Sequence, residues 1–270
     1  MKYEYFDKLL DEDLSWRKLE ISELFLLAKE TNKESVMKSV LLLLYAHWEG
    51  YIKKNSKLYI KYVSAQNIKL MELSDNFKAI SLKSHISKCI ESKDNMTLSN
   101  ELIFLSKFIE KSDRKFKISI KMNEVSDLAS SSEDFDNEIN EYDNEIIDTE
   151  SNLKPKVFKN IIDILGLHYK IALQTREHYI NSYLLKNRNA ISHGSKFDVS
   201  QENFSLSIRD IEKLKEIIFS IIDNFRDELL DYAHNEFYLA VNSVRKKEFE
   251  NRKERELEKV FAAIETNYKN

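Results

Sequence analysis

From Ser207 onward, Ile211, Leu214, Ile217, Ile218, Ile221, Ile222, Phe225, Leu229 and Leu230 recur at intervals of three and four residues. That spacing lines one side of an α-helix with apolar groups, and other elements must cover the stripe. Only 3 Gly and 1 Pro stand in the 270 residues. β-sandwiches and α/β folds need many such breakers and long helices few, so an all-α antiparallel bundle is expected.

The helical period divides the chain. Residues 1–31 read as one or two helices, with Leu14, Leu19, Ile21, Leu24, Phe25 and Leu27 as their apolar stripe. A helix from Asn32-Lys33 to about Gln66 is apolar nearly all round between Ser39 and Trp48, which suits the centre of the bundle. Amphipathic helices are predicted over 76–92 and 97–112, and the alternation in Lys115–Lys121 predicts a lone strand. Beyond Pro155 a helix runs to Gly166, a residue suited to a helix C-cap. Another runs from about Gln174 through Ile180 and Leu184 to a glycine at 194, and the helix after Ser207 continues, with a break, to about Thr266.

Charge is unevenly spread. Asn123–Leu153 holds 11 acidic residues and no Lys or Arg. Without them the remaining 42 basic and 35 acidic residues carry +7, a balance compatible with a polyanionic ligand. The reading is therefore one domain over 1–270, with a core at about 30–235, an acidic mobile insertion at 123–155 and a C-terminal helical extension at 236–270. The single cysteine, Cys89, excludes an internal disulfide framework and fits a reducing, cytoplasmic location. The polar start reads as no signal peptide. The longest apolar run, Val40 to Ala46, falls far short of the ~20 residues that cross a bilayer. No glycine-rich phosphate loop, HExxH or CxxC occurs, so neither a cofactor nor a metal site is expected.

Chemistry concentrates in Leu184–Gly194, where Arg188 and His193 stand five positions apart. Arginine forks onto phosphate oxygens, and histidine moves protons near neutral pH; together they suit phosphodiester cleavage without a metal. With 9 Arg and 6 His in the chain, one given spacing arises by chance about 0.2 times. Five helical steps set the two side chains about 140° apart, so they converge only if the helix loosens near Ser192-His193-Gly194 or if a second copy supplies the partner group. The plainer alternative is a helix terminus, with Arg188 near the negative end of the dipole and Gly194 just beyond. Upstream, Glu49, Lys53, Lys57 and Lys61 form a slowly drifting stripe, either a phosphate-tracking groove or a solvated face. His47 falls in the apolar row Val40-Leu44-His47-Tyr51, as a hydrogen-bonded core histidine would.

Leu185-Lys186-Asn187-Arg188-Asn189-Ala190-Ile191-Ser192-His193-Gly194 resembles the signature of the HEPN superfamily: Arg, four to six residues, His, with a polar residue such as Asn189 after the Arg. Leu42-Leu43-Leu44-Tyr45-Ala46-His47-Trp48-Glu49-Gly50-Tyr51 looks like the first core helix of its MAE-type branch. The resemblance covers about residues 30–230, with the acidic insertion loop inside that range and the extra N-terminal helix and C-terminal helical tail after about 235 outside it. It implies a HEPN-like bundle that forms a homodimer with two Arg–His motifs across one cleft, and a metal-independent endoribonuclease of a toxin–antitoxin or phage-defence system. By resemblance, His193 acts as general base or acid, Arg188 holds the scissile phosphate, Asn189 orients His193 or the phosphate, and Glu49 supplies a supporting polar group. Lys186, Ser192, Lys53, Lys57 and Lys61 are the accompanying candidates for RNA contact, and an antitoxin or immunity protein is the further partner. The alternative is a catalytically silent HEPN-type RNA- or protein-binding module. The position two beyond the histidine is Ser195 rather than the tyrosine of the branch whose antitoxin is a nucleotidyltransferase, so adenylylation control of that type is not expected. The acidic tract could also cover a basic groove as a phosphate mimic.

Overall fold

The computed structural model describes residues 1–91, 114–118, 146–150, 152–194 and 207–269. The helix expected over 97–112, the tract from 123 to 145, Ser195 and the connection 197–205 lie outside the described residues. Helix α1 (Tyr3–Thr31) ends where Asn32 turns left-handed (φ 48°) and gives its N–H to Ala28 O, the local chemistry of an αL cap. After Lys33, α2 (Glu34–Ala65) runs back along α1 as an antiparallel hairpin. Then come α3 (Asp75–Glu91), α4 (Pro155–Leu165), and the short α5 (Ile171–Gln174) and α6 (Glu177–Tyr179). A π-helical segment (Ile180–Leu185) leads directly from α6 into α7 (Lys186–Ser192). The long α8 (Ile208–His234) and α9 (Ser243–Asn267) form a second hairpin. The expected all-α class holds: among the described residues there is no strand.

α2 is the central element. Val40, Leu41, Leu44, Trp48, Tyr51, Ile52, Tyr59 and Val63 are buried, and α1, α4, α7 and α8 pack around them. α8 buries Ile211, Leu214, Ile217, Ile218, Ile221, Ile222 and Phe225, the stripe read from its spacing. Its start is set by a capping box in which Ser207 Oγ accepts from Asp210 N and the Asp210 carboxylate accepts from Ser207 N (2.9 Å). Of the alternating stretch Lys115–Lys121, residues 115–118 are described, and among them there is one antiparallel bridge, Lys69 to Lys115, with Phe116 buried and its N–H on Ile68 O. Its neighbours are the end of α2 and the 3₁₀ turn Leu70–Glu72, which offer no extended partner to lengthen a ladder.

At the end of the acidic tract, Ile147, Thr149 and Leu153 are buried, and Leu153 O accepts the Trp48 indole N–H (3.2 Å). Where the described residues begin again, at 146, this stretch is part of the packing rather than a loose linker, because its apolar groups are seated against α2. The extension beyond 236 also docks: α9 buries Phe249, Leu257, Phe261 and Ile264, and Arg176 reaches Glu258 and Glu265. Among the described residues, no helix is long and apolar enough to cross a membrane.

Gly166 ends α4 at φ 72°, where a side chain is strained. A Cβ there would stand 2.6 Å from the Asn76 side chain, which is held by Ser74 Oγ (2.6 Å) and Ile164 O (3.0 Å). Gly166→Ala should therefore destabilise the fold by at least about 1–2 kcal/mol from the backbone alone. A lower denaturant midpoint at unchanged slope is the expected observation; an unchanged midpoint would refute it.

The buried side of α1 departs from the expected stripe. Leu19 is 61% exposed, Leu27 45% and Leu26 59%, while Asp13 and Arg17 point inward with Phe6, Leu10, Leu14, Ile21 and Phe25. Inside, the Arg17 guanidinium grips Asp13 through Nε (3.2 Å) and Nη2 (3.2 Å). Its Nη1 meets His47 Nδ1 at 3.3 Å, and His47 Nε2 lies 2.9 Å from Glu20 Oε2. Gly50, in mid-α2, makes room for that guanidinium: a Cβ there would meet Arg17 Nη1 at 2.9 Å. His47 is thus the hydrogen-bonded core histidine expected.

Burial, then the adjacent Arg17 charge, holds the His47 pKa below its ordinary value, against the pull of Glu20. The unfolded chain titrates near 6.5, so between that pH and the lower folded value it binds more protons than the native state. Stability should consequently fall as pH drops below about 6.5. His47→Gln should flatten that part of the melting-temperature profile; an equal slope in both proteins would exclude the assignment.

Candidate active site

Arg188 and His193 occupy opposite ends of α7 in different surroundings. Arg188 is half-buried, with Cζ 4.5 Å from the centroid of the Tyr45 ring on α2. Its Nη1 donates to Asn189 Oδ1 (3.0 Å). A guanidinium stacked on an aromatic face keeps its edge free to fork onto an anion. Tyr45 is itself fixed: its hydroxyl donates to Asn152 Oδ1 (3.1 Å) and accepts from Leu153 N (3.0 Å). Burial, and with it the Glu49 carboxylate, pushes the Tyr45 pKa up to about 12 against the Leu153 N–H and Arg188. The phenol therefore stays protonated at neutral pH.

Glu49, one turn along α2 from Tyr45 and half-buried, acts on that same hydroxyl. One face thus gathers Arg188, Asn189, Tyr45 and Glu49. Tyr45 carried no role in the sequence reading, although its (i, i+4) relation to Glu49 was there to be read.

His193 is exposed at the C-cap of α7, its N–H still on Asn189 O (3.1 Å), and Gly194 beyond it turns left-handed at φ 75°. Helical bonding persists through Ser192, and only at His193 itself does the backbone leave the α region (φ −90°, ψ 12°). Between Arg188 and His193, five steps of an ideal helix correspond to a separation of about 140°. No hydrogen bond among the described residues joins them. Asn189 touches both, through its side chain to Arg188 and its carbonyl to His193 N.

The remaining candidates divide. Lys186 and Ser192 are exposed on α7, beside the motif. The lysine stripe does not hold as one face. Lys53 is half-buried, whereas Lys57 is 7% exposed, which does not suit an RNA contact. Lys61 stands by the amino group of Met1, together with Lys117. It lies 12 residues along α2 from Glu49, about 18 Å. The stripe turns about 40° per step of four, so its members drift off a common face.

Two surface concavities lie elsewhere, one along α1 at Asp7, Asp11 and Trp16, the other between Gly166-His168 and Lys246-Glu250. Neither includes Arg188 or His193.

A family model described as HEPN_MAE_28990/-like HEPN matches residues 6–238. The chain belongs to this HEPN family. The match starts earlier than the resemblance over about 30–230, so α1, expected outside the HEPN core, lies within it; α9 lies beyond it. No curated protein and no solved structure matches the chain. HEPN membership supports, in general terms, a nuclease or RNA-binding module, and HEPN domains commonly bind RNA and dimerise.

Proposed function

We propose that the protein is a metal-independent endoribonuclease of a toxin–antitoxin or phage-defence system, acting at a composite site between two copies. One observation carries this reading. Arg188 is seated on Tyr45, while His193 is exposed at the C-cap of the same helix, five positions on. A second copy related by a two-fold axis would set one motif opposite the other and supply each phosphate with both groups.

In that cleft His193 takes the proton of the ribose 2′-hydroxyl, whose oxygen forms a bond to phosphorus as the P–O5′ bond breaks. The departing 5′-oxygen takes up a proton from water. Arg188 binds the non-bridging oxygens and stabilises the charge that grows on them. Asn189 holds Arg188 in place, and Lys186 and Ser192 contact the flanking backbone. Because the 2′-hydroxyl is the nucleophile, RNA is the substrate. An antitoxin or immunity protein would act by covering this face or blocking its pairing.

Incubation of the purified chain with RNA in EDTA, followed by analysis of the ends, tests the reading. The expected products carry 2′,3′-cyclic phosphates and 5′-hydroxyls. Cleavage abolished by EDTA, or RNA bound tightly and never cut at any protein concentration, would overturn it; the latter result would favour a silent binding module.

A further inference from the structure

The rotational setting of α7 comes from an irregularity just ahead of it. Over Ile180–Leu185 the helix widens to i→i−5 bonding, and Lys186 N still reaches back to Asn181 O. Such a segment holds one residue more than the α-helix it replaces, and everything after it is rotated by about 100°. Where the wide pattern gives way to the i→i−4 bonds of α7, a backbone carbonyl loses its N–H donor. Asn187 stands at that junction, fully buried. Its side-chain Nδ2 donates to Tyr183 O (3.0 Å) and Ser182 O (3.4 Å), while its Oδ1 has no partner among the described residues. A buried amide is retained there for its donor, because an apolar side chain of the same size would leave the freed carbonyl unsatisfied.

We infer that Asn187 is a positioning residue: by holding the π-helical segment open, it sets the azimuth at which Arg188 meets Tyr45. Relaxation of the segment to a regular α-helix would turn α7 by about 100° and lift the guanidinium from the ring. The inference deepens the nuclease reading and rests on it only for the consequence in catalysis. The placement of Arg188 is a separate observable.

Two substitutions and one deletion test it. Asn187→Leu removes the donor; Asn187→Ser keeps a hydroxyl able to bond the i−4 carbonyl. Deletion of Asn181 removes the extra residue, closing the segment into an α-helix with α7 left where it is. In NMR spectra of the intact protein, the Arg188 guanidinium protons should carry an upfield shift from the Tyr45 ring. Asn187→Leu should abolish that shift and lower kcat for RNA cleavage by about 10²-fold, the scale of a misplaced catalytic group. Asn187→Ser should restore most of both. On the Asn181 deletion background, Asn187→Leu should alter neither the shift nor the rate. An unchanged Arg188 shift in Asn187→Leu overturns the inference, as does an equal loss with and without the deletion. Should Asn187→Leu fail to fold, the serine variant and the deletion pair decide alone. A shift that responds as described in a protein that cleaves no RNA retains the positioning role and rejects the nuclease reading.

Discussion

His193→Ala should lower the rate of RNA cleavage by about 10²–10⁴-fold, the range that one positioned acid–base group supplies. Because His193 is exposed at the end of α7, its removal should leave stability within about 0.5 kcal/mol of the parent. Arg188→Ala should lose cleavage to a similar degree. Arg188→Lys should not restore it, since an ammonium neither stacks on Tyr45 as a plane nor forks onto two oxygens. A sharper result comes from mixing the two alanine variants. Each is inert alone, yet a hybrid dimer has one face with an intact Arg188 from one copy and an intact His193 from the other. If the two groups act across the interface, the mixture should recover measurable cleavage with the same product ends. Wild-type turnover by His193→Ala would end the proposal, and a mixture as inert as its components would end the cross-interface assignment.

How much of this was legible in the sequence depends on the range of the interactions involved. Helix limits follow from neighbours in the chain. Ser207 with Asp210, Asn32 in its left-handed turn, Pro155 at the first turn of α4 and Gly166 behind it are all local chemistry, and these boundaries matched closely. The inward face of α1 did not. A pattern reading sends Asp13 and Arg17 to solvent and Leu19 and Leu27 to the core, whereas the structure does the reverse. The charges enter because His47, Lys54 and Asn55, thirty or more positions away, complete them. Lys170 is buried for the same kind of reason, against Glu228 at 2.5 Å. At the site, Arg188, Asn189 and His193 were readable from residue type and spacing. Tyr45 and Asn187 were not singled out, since one acts across two helices and the other acts on an extra residue that leaves no mark on hydrophobic periodicity.

Asp13→Ala should destabilise the protein by about 3–5 kcal/mol, the usual consequence of removing one partner from a buried ion pair. The Asp13 carboxylate is 3% exposed as a residue and accepts from Arg17 Nε and Nη2, Lys54 Nζ (3.0 Å), Asn55 Nδ2 (2.9 Å) and Trp16 Nε1 (3.3 Å). Alanine would leave the Arg17 guanidinium without its counter-ion beside His47, in a place that water does not reach. For a chain of this size the melting temperature should drop by roughly 6–20 °C. Burial alone would raise the Asp13 pKa, but Arg17 and Lys54 outweigh it and hold the carboxyl below its ordinary value. That contribution is complete above the unfolded carboxylate pKa of about 4 and is lost only as pH falls through the lower folded value. The gap between parent and variant should therefore persist at neutral pH and close in strong acid. Replacing Asp13 and Arg17 together, by Leu and Met, should recover much of the loss, because it removes the stranded charge as well as its partner. Since α1 braces the helix that carries Tyr45 and Glu49, Asp13→Ala should also reduce cleavage at temperatures well below its melting point. A variant that melts within about 1 °C of the parent would show that the network adds nothing to the hairpin beyond its apolar packing.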